Sequence, residues 1–175
     1  MVQEKTKDKK MNSSEDAYLD KIFKKNKLES VFLFITSKCN SKCKTCFYHD
    51  KLNSKDDLTY DEIIQIAKTA PQFNKLWLSG GEPILREEIF EIIKFFYDNN
   101  KVRVVNFPSN GLLTDRIDEV IGKLLKECPE LSIHLNFSLD GIGKTHDNIR
   151  GIPGNFTKTV ASITRIKEKY GDNPK

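Results

Sequence analysis

Short apolar runs alternate with longer amphipathic segments along most of the chain. The apolar runs predict four buried strands, at 31–36, 75–79, 102–107 and 132–139. Apolar residues at helical spacing predict a helix after each strand, at 59–70, 86–98, 115–127 and 155–170. Thr59 and Glu62 have the spacing of a capping box and mark the start of the first of these helices.

The alternation of strands and helices predicts an α/β fold in which parallel strands are joined by right-handed crossovers. Four such units are fewer than a complete barrel contains, so we expect further strands in sequence beyond residue 175. We assign 29–175 to this core and 1–28 to a polar leader with a short helix. The helix is expected to begin at Ser14 and to carry an apolar stripe, Tyr18, Leu19, Ile22 and Phe23.

In parallel α/β folds, ligands bind at the carboxyl ends of the strands. The four predicted strands end in polar, glycine-bearing segments, at 36–39, 79–83, 108–111 and 138–141. Taken singly, each segment is more typical of an ordinary turn than of a binding site. Taken together, the four segments predict one site at a common edge of the sheet.

Charge and composition exclude several classes of protein. Lys and Arg (29) nearly balance Asp and Glu (25), and the net charge of +4 is spread along the chain, which does not favour a nucleic-acid partner. The chain has neither an apolar stretch of about 20 residues nor a signal sequence, so we expect no membrane partner and a cytoplasmic location. Three of the four cysteines fall within eight residues, a pattern more typical of metal binding than of disulfides.

The clustered cysteines, Cys39, Cys43 and Cys46, supply three thiolates in a long predicted loop. A structural zinc site normally needs four ligands, and His49 has a spacing that would allow it to be the fourth. A four-iron cluster held by three thiolates instead leaves one iron open to another ligand. The cysteine spacing is therefore compatible with either a zinc ion or a four-iron cluster.

The segment at 79–83 (SGGEP) follows the second strand directly. Gly80 and Gly81 would let a ligand approach the backbone, so we expect a branched side chain at Gly81 to weaken ligand binding while leaving the metal in place. Pro83 removes a backbone donor, so carbonyl oxygens should dominate, and these oxygens suit an ammonium group. The segment therefore favours an amine-bearing ligand.

These motifs together resemble those of the radical S-adenosylmethionine (SAM) superfamily. The resemblance rests on CNSKCKTC in the first loop, GGEP, SNG and SLDG after the next strands, and the HDNIRG…NF run at 146–156. The last run is similar to the branch whose members often continue into a SPASM or twitch domain. The resemblance implies that the four βα units belong to a partial (βα)6 TIM-like barrel of the radical SAM core type.

The resemblance also implies the roles of individual residues. Cys39, Cys43 and Cys46 would ligate three irons of a 4Fe-4S cluster, and SAM would chelate the fourth. The backbone of the GGEP segment (Gly80, Gly81, Glu82, Pro83) would bind the SAM ammonium group. Other SAM contacts are expected from Phe47, Ser109, Asn110, Ser138, Asp140 and Arg150.

Phe47 departs from the family pattern, and Arg150 has a second possible partner. Phe47 is expected near adenine although the family often has an aromatic residue at the position of Thr45. Arg150 would bind the SAM carboxylate, or else form an ion pair with Asp147 at i, i+3 spacing.

The activity implied by the resemblance is reductive cleavage of SAM to a 5′-deoxyadenosyl radical, which abstracts hydrogen from an unknown substrate, a peptide or a small molecule. The expected partner is an electron donor such as flavodoxin or ferredoxin. Two alternatives stand beside this hypothesis. One is a zinc-binding module without redox chemistry, and the other is a truncated core that binds a cluster without turnover.

Overall fold

The computed structural model describes residues 28–171, so nearly all of the leader expected at 1–28, including its helix, lies outside the described residues. Four parallel strands form one sheet in the order β1-β2-β3-β4. Their bounds are Ser30–Thr36 (β1), Lys75–Gly80 (β2), Val104–Ser109 (β3) and Ser132–Phe137 (β4). The prediction of an α/β fold built from four βα units is confirmed.

Within residues 28–171, five α-helices and two 3-10 turns connect and cover the strands. The helices are Tyr60–Thr69 (α1), Ile89–Asn100 (α2), Thr114–Glu127 (α3), Lys144–Arg150 (α4) and Asn155–Tyr170 (α5). The 3-10 turns are His49–Lys51 and Pro83–Leu85. The predicted capping box is present at the start of α1, where Thr59 accepts from the Glu62 amide and the Glu62 carboxylate accepts from the Thr59 amide.

Two predicted boundaries are displaced by local backbone geometry. The third strand begins at Val104 and not at 102, because α2 ends in a left-handed residue, Lys101, and the Val102 amide still donates to Phe96 of that helix. The second helix begins at Ile89 and not at 86, because the segment from Pro83 forms its own 3-10 turn first. Two strand ends also differ from the prediction by two residues, since β3 continues to Ser109 and β4 ends at Phe137. The sheet otherwise follows the predicted apolar runs.

The helix α4 was not predicted as a helix. It has seven residues and is bounded by two glycines with positive φ, Gly143 (57°) and Gly151 (69°). Only one of its residues, His146, is buried, so no apolar stripe identifies it in the sequence.

The core lies between one face of the sheet and the helices. Alternate strand residues such as Leu33, Leu76 and Val105 point into it and meet buried side chains such as Ile93 and Phe96 of α2. The fourth cysteine, Cys128, also lies in this core and is buried. On the opposite face, alternate residues of β1 such as Phe32 are exposed, as expected where a barrel interior is only partly enclosed.

Candidate functional site

A cavity of about 260 Å³ lies at the carboxyl ends of the strands. It brings together most of the residues that the sequence nominated, namely Cys39, Cys43, Cys46, Phe47, Gly80, Gly81, Glu82, Ser109, Asn110, Ser138 and Arg150. Two nominated residues do not line it. Pro83 is buried at the start of its 3-10 turn, and Asp140 contacts the Arg150 side chain instead.

The cysteine loop is held by hydrogen bonds at its base and on both sides of Cys43. At its start, Asp57 accepts from the Ser37 amide (2.7 Å) and the Thr36 hydroxyl (3.1 Å). Partial burial raises the pKa of Asp57, but these hydrogen bonds outweigh burial and leave the pKa below its ordinary value. Further along, the amides of Lys42 and Lys44 donate to carbonyl oxygens at the end of α4 (3.0 and 2.9 Å). The unpredicted helix therefore fixes the loop that carries the thiols.

The three thiols line one cavity without converging on one point. All three are free and partly buried, and partial burial raises the pKa of the Cys39 thiol. Within residues 28–171, no group of three or more Cys, His, Asp or Glu side chains is arranged to hold a single metal ion. His49, the fourth ligand of the zinc alternative, has a side chain that is 77% exposed, contacts Asp50, and does not line the cavity.

The two glycines of the GGEP segment are required by backbone packing. The Gly81 and Glu82 amides donate to the carbonyl oxygens of Thr36 and Lys38 at the end of β1 (both 2.8 Å). A Cβ on Gly80 would lie 2.1 Å from the Thr36 oxygen, and one on Gly81 would lie 2.2 Å from the Lys38 oxygen. The expectation that a side chain at Gly81 would affect only the ligand is therefore wrong, since that side chain would strike the cysteine loop itself.

The carbonyl oxygens of this segment are partly engaged already. Those of Glu82 and Pro83 accept from the amides of Leu85 and Arg86 within the 3-10 turn (both 3.0 Å). The segment therefore offers fewer free carbonyl oxygens than the sequence indicated. The side chain of Glu82 adds an acceptor that the sequence argument did not use.

The Glu82 carboxyl group is buried at the wall of the cavity. Its Oε2 atom accepts from the Asn110 amide (2.7 Å), while Oε1 is enclosed and has no hydrogen-bond partner within residues 28–171. Burial raises the pKa of Glu82 to about 7, against the lowering effect of the Asn110 and Ser109 hydrogen bonds. An enclosed, unpaired carboxyl oxygen is a natural acceptor for a cationic group of a ligand.

The raised pKa of Glu82 predicts a specific dependence of stability on pH. Its pKa rises from 4.5 to about 7 on folding, so its contribution to the free energy of unfolding is present below pH 4.5 and is lost as the pH rises through about 7. We expect Glu82→Gln to remove up to about 3 kcal/mol of this pH dependence. Urea unfolding of both proteins between about pH 5 and about pH 8 measures the effect, and equal pH slopes would contradict the assignment.

Arg150 joins the cysteine loop to the end of β4. Its Nε atom lies 2.6 Å from the Asp140 carboxylate, and its Nη1 atom lies 3.5 Å from the Cys43 sulfur. The alternative ion pair with Asp147 is not formed. The Asp147 carboxylate instead accepts from the Phe156 and Gly154 amides (2.8 and 2.7 Å), and these hydrogen bonds lower its pKa.

A buried polar network, which the sequence argument missed, supports the site from behind. The Asp140 amide donates to Nδ1 of the fully buried His146 (3.2 Å), so Nε2 carries the proton and donates to the Asn155 side-chain oxygen (2.8 Å). The Thr159 hydroxyl lies 2.9 Å from the same Asn155 oxygen and 2.8 Å from the Asn110 carbonyl oxygen. His146 and Asn155 both belong to the HDNIRG…NF run, and both are fully buried. The run therefore supplies the buried hydrogen-bonded pair at the centre of this network.

Comparison with known proteins agrees with the geometry of the site. The family described as "Radical SAM superfamily" matches residues 33–173. The chain belongs to the radical SAM superfamily. Members of this superfamily use a 4Fe-4S cluster and SAM, the cofactors that the motifs implied.

Curated relatives of this radical SAM chain are named as enzymes of different reactions. It is 34% identical over 138 residues to the AdoMet-dependent heme synthase of Methanosarcina barkeri, covering 77% of this chain and 38% of the relative. It is 36% identical over 96 residues to the probable GTP 3′,8-cyclase of Methanocaldococcus jannaschii, covering 53% of this chain and 32% of the relative. The chain thus spans well under half the length of these relatives.

Solved structures of radical SAM proteins share the fold. The structure of anSMEcpe with bound AdoMet has a TM-score of 0.62 and 25% identity, and the match covers 82% of this chain and 41% of that one. Streptococcus suis SuiB, solved with its precursor peptide SuiA, has a TM-score of 0.59 at 17% identity and shows the fold alone, over 96% of this chain and 38% of that one. These matches are consistent with the predicted partial TIM-like barrel. Across residues 28–171, no helix is long and apolar enough to span a bilayer.

Proposed function

We propose that this chain is the core of a radical SAM enzyme in which Cys39, Cys43 and Cys46 hold a 4Fe-4S cluster beside a bound SAM. The observation that carries the proposal is the meeting of the three thiols and all four strand ends at one cavity. In this assignment, 29–175 is the radical SAM core and 1–28 precedes it as a leader.

The residues present fit these cofactors. A cubane cluster binds each thiolate to a different iron, so its ligands must surround a volume and need not converge on one ion, as is found here. Cationic and anionic partners for SAM also lie at the cavity wall, in Arg150 and Glu82. The zinc alternative would need His49 beside the thiols, where the structure does not place it.

The side chains can be assigned complementary tasks toward SAM. The unpaired Oε1 of Glu82 and the nearby backbone of Gly81 would accept from the ammonium group, and Arg150, oriented by Asp140, would bind the carboxylate. The polar groups at the ends of β3 and β4 would contact the methionyl and ribose parts, namely Ser109, Asn110 and Ser138. Phe47, whose ring is exposed at the cavity, would cover adenine, and Pro83 would shape the turn behind the ammonium site.

A cluster held by Cys39, Cys43 and Cys46 would supply the electron for reductive cleavage of SAM, and SAM would supply the group that takes hydrogen from the substrate. The protein's part is to orient SAM and to keep water from the reacting atoms. An electron donor such as flavodoxin or ferredoxin is the expected partner. Three thiols that must remain reduced fit a reducing compartment such as the cytoplasm.

Arg150→Ala provides a test of the SAM site that spares the cluster. The substitution removes the long contact of the guanidinium group with the Cys43 sulfur (3.5 Å). It keeps the three thiols and the Arg150 carbonyl that holds the cysteine loop, so we expect most of the iron to be retained. The Kd for SAM should rise about tenfold or more, because a charge-assisted pair to the carboxylate is lost. Equilibrium binding of SAM to the anaerobically reconstituted protein measures this change.

The matched control is Arg165→Ala, since Arg165 forms ion pairs with Asp115 and Asp118 away from the cavity. The control should bind SAM normally. With dithionite present, the wild-type chain should also release 5′-deoxyadenosine. SAM binding without this release would support the truncated-core alternative, and absence of both cluster and SAM binding would overturn the proposal.

A further inference from the structure

One side chain in the buried network behind the cavity, His146, has no task in the proposed function. It is fully buried, whereas the other residues of α4 are half-buried or exposed. Both ring nitrogens are engaged, Nδ1 by the Asp140 amide (3.2 Å) and Nε2 by the Asn155 side-chain oxygen (2.8 Å). The ring also packs edge-on against Phe156, with centroids 5.9 Å apart. The imidazole is therefore fixed in position, orientation and tautomer.

The contact of the imidazole with Asp140 leads directly to Arg150. The Asp140 carboxylate lies 2.6 Å from Nε of Arg150. Arg150 follows His146 by four residues on α4, so the two side chains lie on the same side of that helix. Asp140 thus bridges them, with its amide on the imidazole and its carboxylate on the guanidinium group. The position of the guanidinium group therefore depends on the acceptor at Nδ1 of His146.

The segment that carries Asp140, at 138–143, has few other hydrogen bonds to hold it. Within the described part of the chain, two of its amides donate, that of Ser138 to the Ser109 carbonyl oxygen (2.9 Å) and that of Asp140 to His146. The side chains of Leu139 and Ile142 are exposed and pack little. A segment with so few internal contacts takes its position from the few groups that bind it. The imidazole is thus the side chain that fixes the backbone at Asp140.

On its other side, the imidazole is tied to the end of β3. The Asn155 oxygen that it contacts lies 2.9 Å from the Thr159 hydroxyl, which lies 2.8 Å from the Asn110 carbonyl oxygen. The Asn110 amide in turn donates to Oε2 of Glu82 (2.7 Å). All these residues are buried. His146 therefore links the segment after β4 to the carboxyl group that we assign to the SAM ammonium group.

The amino-acid end of SAM needs such a link, because it carries an ammonium and a carboxylate group on one carbon. A site that reads both groups must hold an anionic acceptor and a cationic donor at a fixed separation. Charge-assisted hydrogen bonds depend on distance and direction, so a small displacement of one partner forfeits most of the interaction. A guanidinium group that is free to move also loses more entropy on binding than one already held in place.

We propose that His146 is a positioning residue for SAM, whose Nδ1 atom holds the backbone of Asp140 and thereby sets Arg150 for the carboxylate. The result is selectivity for ligands with an intact amino-acid end over adenosyl thioethers that lack it. This inference rests on the proposed function, because it takes the cavity as the SAM site.

His146→Phe tests this role, since it keeps a buried ring beside Phe156 and removes both ring nitrogens. The two probes are SAM and 5′-deoxy-5′-methylthioadenosine, a thioether that has the adenosyl group without the amino-acid end. We expect the Kd for SAM to rise at least about tenfold, as for other displaced charge-assisted contacts, and the Kd for the thioether to change less than about twofold. Equilibrium dialysis with the anaerobically reconstituted protein measures both constants.

Two further variants distinguish positioning from a general loss of stability. His146→Asn places an amide oxygen near the position of Nδ1, so the acceptor for Asp140 is kept, and the Kd for SAM should stay within about threefold of wild type. In an Arg150→Ala background, His146→Phe should change the Kd for SAM less than about twofold, because the group that it positions is already absent.

The matched control is Asn100→Ala. Asn100 is also a buried polar side chain, but it donates to the carbonyl oxygens of Ala67, Ala70 and Pro71 at the end of α1 and does not line the cavity. This variant should lose stability in urea unfolding and bind SAM as wild type does.

Iron content and urea unfolding are measured on the same samples. If wild type binds iron and SAM, and folded His146→Phe binds SAM equally well or loses SAM and thioether in parallel, the inference is overturned while the proposed function stands. If His146→Phe does not fold, His146→Asn decides, since a tenfold rise in its Kd for SAM with normal thioether binding would overturn the inference. Failure of wild type to hold iron or bind SAM would instead overturn the proposed function.

Discussion

Replacing Cys39, Cys43 or Cys46 by serine is expected to remove most of the iron from the reconstituted protein. The wild-type chain should hold about four irons and the corresponding sulfide after anaerobic reconstitution, and it should be brown. Because three thiolates are available at the cavity, loss of any one leaves two protein ligands for the cluster. Iron analysis and the visible absorption of the cluster measure the effect.

The control for these variants is Cys128→Ser, because Cys128 is buried in the helix-covered core away from the cavity. It should keep its iron, although the change in the core will lower stability somewhat. His49→Ala should keep its iron as well, since the exposed His49 side chain does not line the cavity. A colourless protein with stoichiometric zinc that is lost in both the His49 and Cys46 variants would support the zinc-binding module.

Gly81→Ala is expected to lower stability and to remove most of the cluster together. A Cβ at this position would lie 2.2 Å from the Lys38 carbonyl oxygen, which is backbone and cannot turn aside as a side chain can. To remove this overlap, the cysteine loop must move at Lys38, the residue before Cys39. We expect a loss of about 2–3 kcal/mol in the free energy of unfolding, as for other overpacked sites. Urea unfolding and iron content of the same preparations measure the two effects.

Gly122→Ala, on the helix α3, is the matched control. A Cβ at this position would meet only the Tyr170 hydroxyl, at 3.1 Å. The Tyr170 hydroxyl, which is hydrogen-bonded to Asp118, needs to move by only a few tenths of an ångström, and alanine favours the helix. The control should keep its iron and most of its stability. If Gly81→Ala kept its iron while SAM binding weakened, the glycine would serve the ligand directly, and the packing explanation would be wrong.

The fold was largely predictable because its signals are local. Short apolar runs located the strands, and the capping box at Thr59 and Glu62 located the start of α1. The exceptions depend on neighbouring segments. The left-handed Lys101 delays β3, and the short helix α4 has a single buried residue, His146, so its helical periodicity leaves no apolar stripe.

The residues around the cavity were also largely nominated by sequence, because strand ends gather at one edge of a parallel sheet. What the sequence could not supply were contacts between distant segments. Spacing offered Asp147 as one possible partner of Arg150. In the structure, tertiary packing instead brings Asp140 to Arg150, and Asp147 accepts from the backbone amides of Gly154 and Phe156. The unpaired oxygen of Glu82 is likewise visible only in three dimensions.

The central claim is that three thiolates of this chain hold a four-iron cluster whose fourth iron is open to SAM. Mössbauer spectroscopy of the chain reconstituted with isotopically enriched iron tests it most directly. The account predicts a 4Fe-4S signal in which about one quarter of the iron changes its isomer shift when SAM is added, since one iron lacks a thiolate. A signal that SAM leaves unchanged, or iron bound in no cluster at all, would contradict it.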